Sequence, residues 1–208
     1  FEVCHHKWLD VAENGYGVSI LNDCKYGVSV HDGVIGLSML KSATDPNPAA
    51  DKEHHSFTYV IYPHSGDFRE AGTIKRAYAL NNPLLAVQAK DEAGSMIDGT
   101  EKCQTQTACQ LAAQASFVHT DAENVFIEVV KQAEDGDGVI IRLYEAFNRR
   151  ADVTVSVDEF LADSGFALTE ACDCSMLEEQ ETPLPVEGNE IRLTIRPFEI
   201  RTLRLRFN

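Results

Sequence analysis

Histidines are the first residues here whose type suggests chemistry, and there are seven of them. Four form the adjacent pairs His5-His6 and His54-His55. Neighbours in a strand point to opposite faces, so such a pair does not easily chelate one ion. No H-E-x-x-H motif and no zinc-ligand spacing occurs, so no metal ligand is expected in this chain. Carboxylates gather in acidic turns. Glu178-Glu179, and Asp135 with Asp137, read as solvated faces. Nothing marks two carboxylates held the ~5–9 Å apart that glycoside hydrolysis needs. A G-x-S-x-G elbow, a P-loop and a dinucleotide fingerprint are all absent from the sequence. Arg192, Arg196, Arg201, Arg204 and Arg206 crowd the last residues at mostly strand spacing. In so acidic a chain, that stripe predicts ion pairs with acidic strands rather than an anion site. Trp8, the sole tryptophan, is expected in a core or interdomain contact rather than as a sugar-stacking platform.

The 208 residues carry 18 Lys+Arg against 33 Asp+Glu, a formal charge of −15. That charge argues against nucleic acid as a partner, because phosphate binding needs positive faces. It disfavours an anionic membrane surface for the same reason. No apolar run approaches the ~20 residues of a membrane-spanning helix, and no leader pattern is present. The chain opens at Phe1 in patterned sequence, which reads as a piece of a longer protein. Cys4, Cys24, Cys103, Cys109, Cys172 and Cys174 lack the C-x-x-C spacing of redox or zinc sites. They are expected to be free thiols of a reducing cytoplasm.

The elements that must position any chemistry are mainly strands. Tyr16–Asp23, Tyr26–His31, Val34–Leu40 and His55–Tyr62 alternate or run apolar, and Pro63 is expected to close the last. Asp32-Gly33 between two alternating runs predicts a two-residue hairpin turn. Ser42–Asp51 has two prolines and no period, hence a loop. Asp67–Leu80 predicts a helix with Asp67 as N-cap and Glu70 completing a capping-box-like pair. Leu84–Lys90 reads as a strand and Asp91–Cys109 as a loop. Val125–Val130, Val139–Ala146, Val153–Val157, Phe166–Thr169, Ile191–Ile195 and Ile200–Phe207 follow as strands with turn signals between them. The expected fold class is mainly β, antiparallel β-sandwich with one short helix. A boundary near residue 120 divides it into 1–120, part of a larger β domain, and 121–208, a small sandwich.

Three segments together resemble the C-terminal region of glycoside hydrolase family 38 α-mannosidases, of the bacterial and cytosolic type. They are His6-Lys7-Trp8-Leu9-Asp10 continuing through Tyr16–Asp23 to Lys25-Tyr26-Gly27; Pro63–Ala71 with Ala79–Pro83; and Leu143-Tyr144-Glu145-Ala146 with Arg196–Ile200. The resemblance implies that the full enzyme hydrolyses terminal α-linked mannose with retention. Zinc or another divalent cation would bind the sugar beside an Asp nucleophile in an N-terminal barrel. None of the nucleophile, acid/base or metal ligands would lie in this chain. Its role would be to support that catalytic domain and the cleft edge. The rival readings are a carbohydrate-binding module and an oligomerisation domain. Partners would be the N-terminal catalytic domain, a mannose-containing oligosaccharide and, for the oligomer reading, further copies of the chain. Some family members place an Arg after the third strand near the active site. Here that place falls at Lys41 or Ser42, so Lys41 is the first substrate-binding candidate. A lysine offers only a point charge where arginine offers a bidentate fork. The turn carrying Asn22 and Asp23 is the second, against plain turn chemistry in which Asn and Asp close their own backbone.

Overall fold

A computed structural model describes residues 2–86, 116–158 and 165–208. The chain divides into two compact units, Phe1–Lys102 and Cys103–Asn208. The described residues are mostly antiparallel strand, as the mainly β expectation has it, with one short helix among them.

The N-terminal unit contains strands β1 (Val3–Cys4), β2 (Trp8–Glu13), β3 (Tyr16–Asn22), β4 (Gly27–His31), β5 (Val34–Ser38) and β6 (Tyr59–Ser65), then helix α1 (Thr73–Asn81). They form two sheets, in the orders β1-β4-β5 and β2-β3-β6. The β4–β5 hairpin turns at Asp32-Gly33 as expected. Both residues take positive φ, 51° and 75°, which matches the twist of the flanking strands. Strand β6 runs through Pro63, which the sequence reading took as its end. Among the described residues β6 pairs only with β3, so it is an edge strand, where a missing N–H is tolerated.

Helix α1 starts later than its sequence pattern suggested. Gly72, in the left-handed region at φ 65°, precedes Thr73 and supplies no side-chain cap. Asp67 instead organises the turn before the helix, accepting from the amides of Arg69 at 2.8 Å and Glu70 at 3.4 Å. Asp67 is therefore not the helix N-cap that was expected, because the left-handed Gly72 separates its turn from the helix. Ile74 and Ala77 of α1 are buried.

The C-terminal unit contains β7 (Val118–Thr120), β8 (Val125–Gln132), β9 (Val139–Glu145), β10 (Ala151–Val157), β11 (Leu168–Cys174), β12 (Thr182–Leu184), β13 (Val186–Glu187), β14 (Glu190–Ile195) and β15 (Ile200–Phe207). Its two sheets have the orders β13-β14-β10-β7 and β12-β11-β15-β9-β8. Strand β7 pairs with β10, so this unit takes in residues just before 120. Period-2 alternation places Val153, Val155, Val157, Ile191, Leu193 and Ile195 of one sheet and Ile141, Leu143, Leu203 and Leu205 of the other in one core. The strand predicted at 166–169 is β11, which starts two residues later and runs on to Cys174. Of the strand predicted at Leu84–Lys90, residues 84–86 are not strand and the rest lie outside the described residues. The loop predicted at Asp91–Cys109 also lies outside them.

Candidate functional site

Asn22 ends β3 and is fully buried. Its side-chain amide donates to the carbonyls of Cys24 at 3.1 Å and Lys25 at 3.5 Å, closing the turn that leads to β4. Asp23 then reaches across to residue 58: its Oδ1 accepts from the Thr58 amide at 2.9 Å. That bond is the main reason the Asp23 carboxyl sits below the usual carboxylate range. Burial, with Asp23 beside it, pushes the Cys24 thiol up. Asn22 therefore closes its own turn, while Asp23 ties that turn to residue 58.

Lys41 lies at the other end of the 39–58 loop and is exposed. The Oδ2 of Asp51 accepts from the backbone amides of Lys41 at 3.1 Å and Ser42 at 2.9 Å. These two donors, Ser42 first, lower the pKa of Asp51. Ser42 and Asp51 both carry positive φ, 50° and 57°, so the loop is held in a backbone shape that its residue types do not favour alone. The Asp51 carbonyl is 3.1 Å from His55 Nε2, and His55 Nδ1 is 3.1 Å from Lys25 Nζ. The ammonium has only donors, so Nδ1 accepts from it and the Nε2 proton goes to the Asp51 carbonyl. A single neutral tautomer satisfies both contacts. Lys25 closes the circuit, because its carbonyl accepts from the Tyr59 hydroxyl at 2.7 Å as well as from Asn22.

Two of the three sequence candidates, Asn22 and Lys41, thus belong to one hydrogen-bonded chain: Asn22, Lys25, His55, Asp51 and the Lys41-Ser42 backbone. The contributions of Lys25, His55 and Asp51 are not legible in the sequence. His55 stands there as half of a histidine pair with no partner, and its partners come from residues 25 and 51. The arrangement presents the Lys41 ammonium on a braced loop. It contains no nucleophile with a free general base.

A second polar cluster has the residue types of a hydrolase triad. His64 Nε2 lies 2.7 Å from Asp10 Oδ1, and the Ser19 hydroxyl donates to the same oxygen at 2.6 Å. Ser19 also lies 2.7 Å from the Thr73 hydroxyl at the start of α1. Serine and histidine both bond the carboxylate rather than each other, and Ser19 is fully buried. The triad geometry, in which the imidazole takes the serine proton, is therefore missing. The cluster ties β2, β3 and β6 to α1.

The arginine stripe forms ion pairs as expected, but Asp135 and Asp137 belong to the turn after β8 rather than to an acidic strand. Arg204 Nη1 contacts both oxygens of Asp135 at 2.8 Å, Arg206 reaches Asp137 at 2.8 Å, and Arg201 reaches Asp173 at 2.9 Å. Glu178 corrects the solvated-face reading. Its side chain is 5% exposed, lies 2.7 Å from Lys131 Nζ, and accepts from the Glu134 amide at 2.8 Å. Lys131 is the leading reason its pKa is lowered. Trp8 packs its ring 5.0 Å from that of Phe68. Among the described residues, no group of three or more His, Cys, Asp or Glu is placed to hold a metal ion. None of the described helices is long and apolar enough to cross a membrane.

Comparison with known proteins gives a consistent answer. Residues 124–203 match the glycosyl hydrolases family 38 C-terminal beta sandwich domain, and residues 1–49 match the glycosyl hydrolases family 38 C-terminal domain. The chain is a C-terminal region of glycosyl hydrolase family 38. It is 35% identical over 210 residues to Alpha-mannosidase 2C1 of Homo sapiens, covering 99% of this chain and 18% of that protein. Alpha-mannosidase G of Dictyostelium discoideum is 34% identical, with 98% of this chain and 17% of that protein covered. The crystal structure of an alpha-mannosidase from Enterococcus faecalis V583 shares the fold at a TM-score of 0.67 and 20% identity, covering 98% of this chain and 21% of that one. The chain thus spans under a fifth of the length of these curated relatives. The family 38 region in hand is the part that its sequence resemblance implied.

Proposed function

We propose that this region is the non-catalytic C-terminal support of a retaining α-mannosidase, and that its 39–58 loop stands at the edge of the active-site cleft. One observation carries the reading: an alignment to α-mannosidases running along 99% of the chain, in residues that the family assigns to its C-terminal domains. The described residues offer no metal-binding trio. On the family resemblance, a zinc or other divalent cation belongs to the N-terminal catalytic domain, and no step of the chemistry is routed through this chain. The partners on this reading are that catalytic domain and a mannose-containing glycan. A cytoplasmic location is supported by Cys4, Cys24, Cys172 and Cys174, which are free thiols.

Lys41 would meet substrate as a point charge whose backbone Asp51 holds, while Asn22 and Asp23 support it from the turn. The test uses the full-length enzyme and an aryl α-mannoside. Lys41→Ala should raise KM several-fold with kcat nearly unchanged, the pattern of a lost binding contact. Equal kinetics for Lys41→Ala and the parent enzyme would remove Lys41 from the cleft. Residues 1–208 by themselves should show no turnover with zinc added, and zinc-dependent turnover would overturn the supporting role.

A further inference from the structure

We propose that His55 is a positioning residue for the 39–58 loop, which it ties to the 23–26 turn only while its imidazole is neutral. The inference rests on the reading that this loop edges the cleft, and it makes pH the regulator of that edge. Residues 56–58 meet the turn through Asp23 and Cys24. Asp51, and through it the Lys41 and Ser42 amides, reaches the turn through His55 and Lys25. The two nitrogens of His55 have opposite duties there. Nε2 donates to the Asp51 carbonyl, and the Lys25 ammonium donates to the lone pair on Nδ1. A proton on Nδ1 removes that lone pair and sets a second cation 3.1 Å from the first. The new N–H and the ammonium point at each other, so one side chain must leave. An imidazolium keeps its Nε2 proton, so His55 stays with Asp51 and the bond to the turn is the one that breaks.

The groups around His55 do not offset this change. From the turn it faces Asp23, Cys24 and Lys25, from the loop Asp51, and from β6 Tyr59. The Thr58 amide holds Asp23 below the usual carboxylate range, and the amides of Ser42 and Lys41 do the same for Asp51. Burial pushes the Cys24 thiol and the Tyr59 hydroxyl up. An imidazole is the side chain that ordinarily changes charge between about pH 5 and 8. Lys52, Glu53 and His54, just before it, are exposed. The Asp51 carboxylate attracts an imidazolium, but its Oδ2 already accepts from the Lys41 and Ser42 amides. An imidazolium drawn there competes with the very donors that brace Lys41. Both responses to protonation therefore loosen the loop.

The turn itself survives the change. Lys25 lies in the left-handed region at φ 64°, and its carbonyl accepts from the Asn22 side chain and the Tyr59 hydroxyl. None of these bonds involves the ammonium. Loss of the Lys25–His55 contact thus frees the loop without unfolding the turn.

The test is hydrogen exchange of the full-length enzyme, read on peptides from residues 39–58 and divided by the intrinsic rate at each pH. Protection should be at least about threefold greater at roughly pH 7.5 than at pH 5.5. His55→Gln and Lys25→Met should both lose that dependence, the first because it has no proton to gain and the second because it has no ammonium to release. His54→Gln should keep it. Protection that ignores pH in the parent enzyme overturns the proposal, and so does a dependence that survives His55→Gln. The parent series stands by itself if a variant fails to fold. The KM of an aryl α-mannoside over the same range tests the cleft reading separately. The ratio of parent KM to that of His55→Gln should rise as pH falls, with the kcat ratio steady. A flat KM ratio beside pH-dependent protection keeps His55 as the brace and removes the loop from the cleft. A KM ratio that moves while protection stays flat keeps the cleft reading and overturns the brace.

Discussion

The two units bury different things. In the C-terminal unit the space between the sheets is filled mainly by aliphatic side chains, with Glu145 a buried charge at the end of β9, bonded to Asn124 at 2.8 Å. Ile141, Leu143, Val155, Ile191, Ile195, Leu203 and Leu205 are each fully buried. Arg204 and Arg206 of β15 point away from them toward Asp135, Asp137 and Glu181. In the N-terminal unit, the contact between sheet and helix instead contains His64, Asp10, Ser19 and Thr73, joined in that order in one chain of hydrogen bonds. Two broad sheets can exclude water by area alone. A three-stranded sheet under a nine-residue helix has less apolar surface to bury. There a buried hydrogen-bond network fixes where the helix sits, and removing one member leaves the others unsatisfied.

The largest expected effect tests the apolar half. Leu203→Ala should destabilise the C-terminal unit by about 3–4 kcal/mol through lost transfer energy and the cavity left behind. Native-state hydrogen exchange should locate the loss in β9, β11 and β15. An equal loss in β3 and α1 would mean that the units do not differ as described.

Next is Asp10→Ala, which strands two buried donors. It should cost the N-terminal unit about 2–3 kcal/mol and loosen α1 from β3 in the same exchange experiment. A cost no larger than that of an exposed substitution would show that the network adds nothing to stability.

The pH dependence should then separate the units by sign. Burial by itself lowers the pKa of His64, but the bond to Asp10, with help from the Ser65 carbonyl, outweighs it and leaves the value raised above 6.5. A raised folded-state value means that His64 stabilises fully below pH 6.5 and that this is lost as pH rises through the folded value. Glu145 goes the other way. Burial raises its pKa, but the amides of Phe198 and Phe147 and the Asn124 side chain win, holding it below 4.5. Its contribution is present above pH 4.5 and is lost as pH falls further. Exchange protection of α1 should therefore weaken from pH 6 to 8 while that of β9 does not. Asp10→Asn should flatten the first trend, and an unchanged slope in that variant would exclude His64 as its source.

The smallest effect concerns the loop. Asp51→Ala should leave the melting temperature of the protein nearly unchanged, because the carboxylate is exposed. It should still speed exchange at the Lys41 and Ser42 amides, which lose their acceptor. Unchanged exchange there would remove Asp51 as the brace.

Much of the fold is legible locally. Asp32-Gly33 predicts a turn because few residue pairs tolerate two positive φ values. Alternation in Val139–Glu145 and Ile200–Phe207 predicts both the core and the arginine face, because a strand has period two. Places where local rules compete are less legible. Asp67 caps a turn rather than α1, and Pro63 sits inside an edge strand. Glu178 belongs to an acidic run, yet it is buried because Lys131 and the Glu134 amide arrive from β8 and the turn after it. The candidate site divides in the same way. The Asn22 turn is a short-range matter, but its link to Lys41 runs through Lys25, His55 and Asp51.

The sequence by itself determined the strand faces, the β4–β5 hairpin, the absence of a recognisable catalytic motif and the family resemblance. Each depends on residues within a few positions of one another or on their order along the chain. Only the tertiary structure decided that Asp10 serves both His64 and Ser19, and that His55 joins Lys25 to Asp51. Those facts depend on which strands become neighbours, and pairing between residues some 30–54 positions apart is set by the packing of the whole chain.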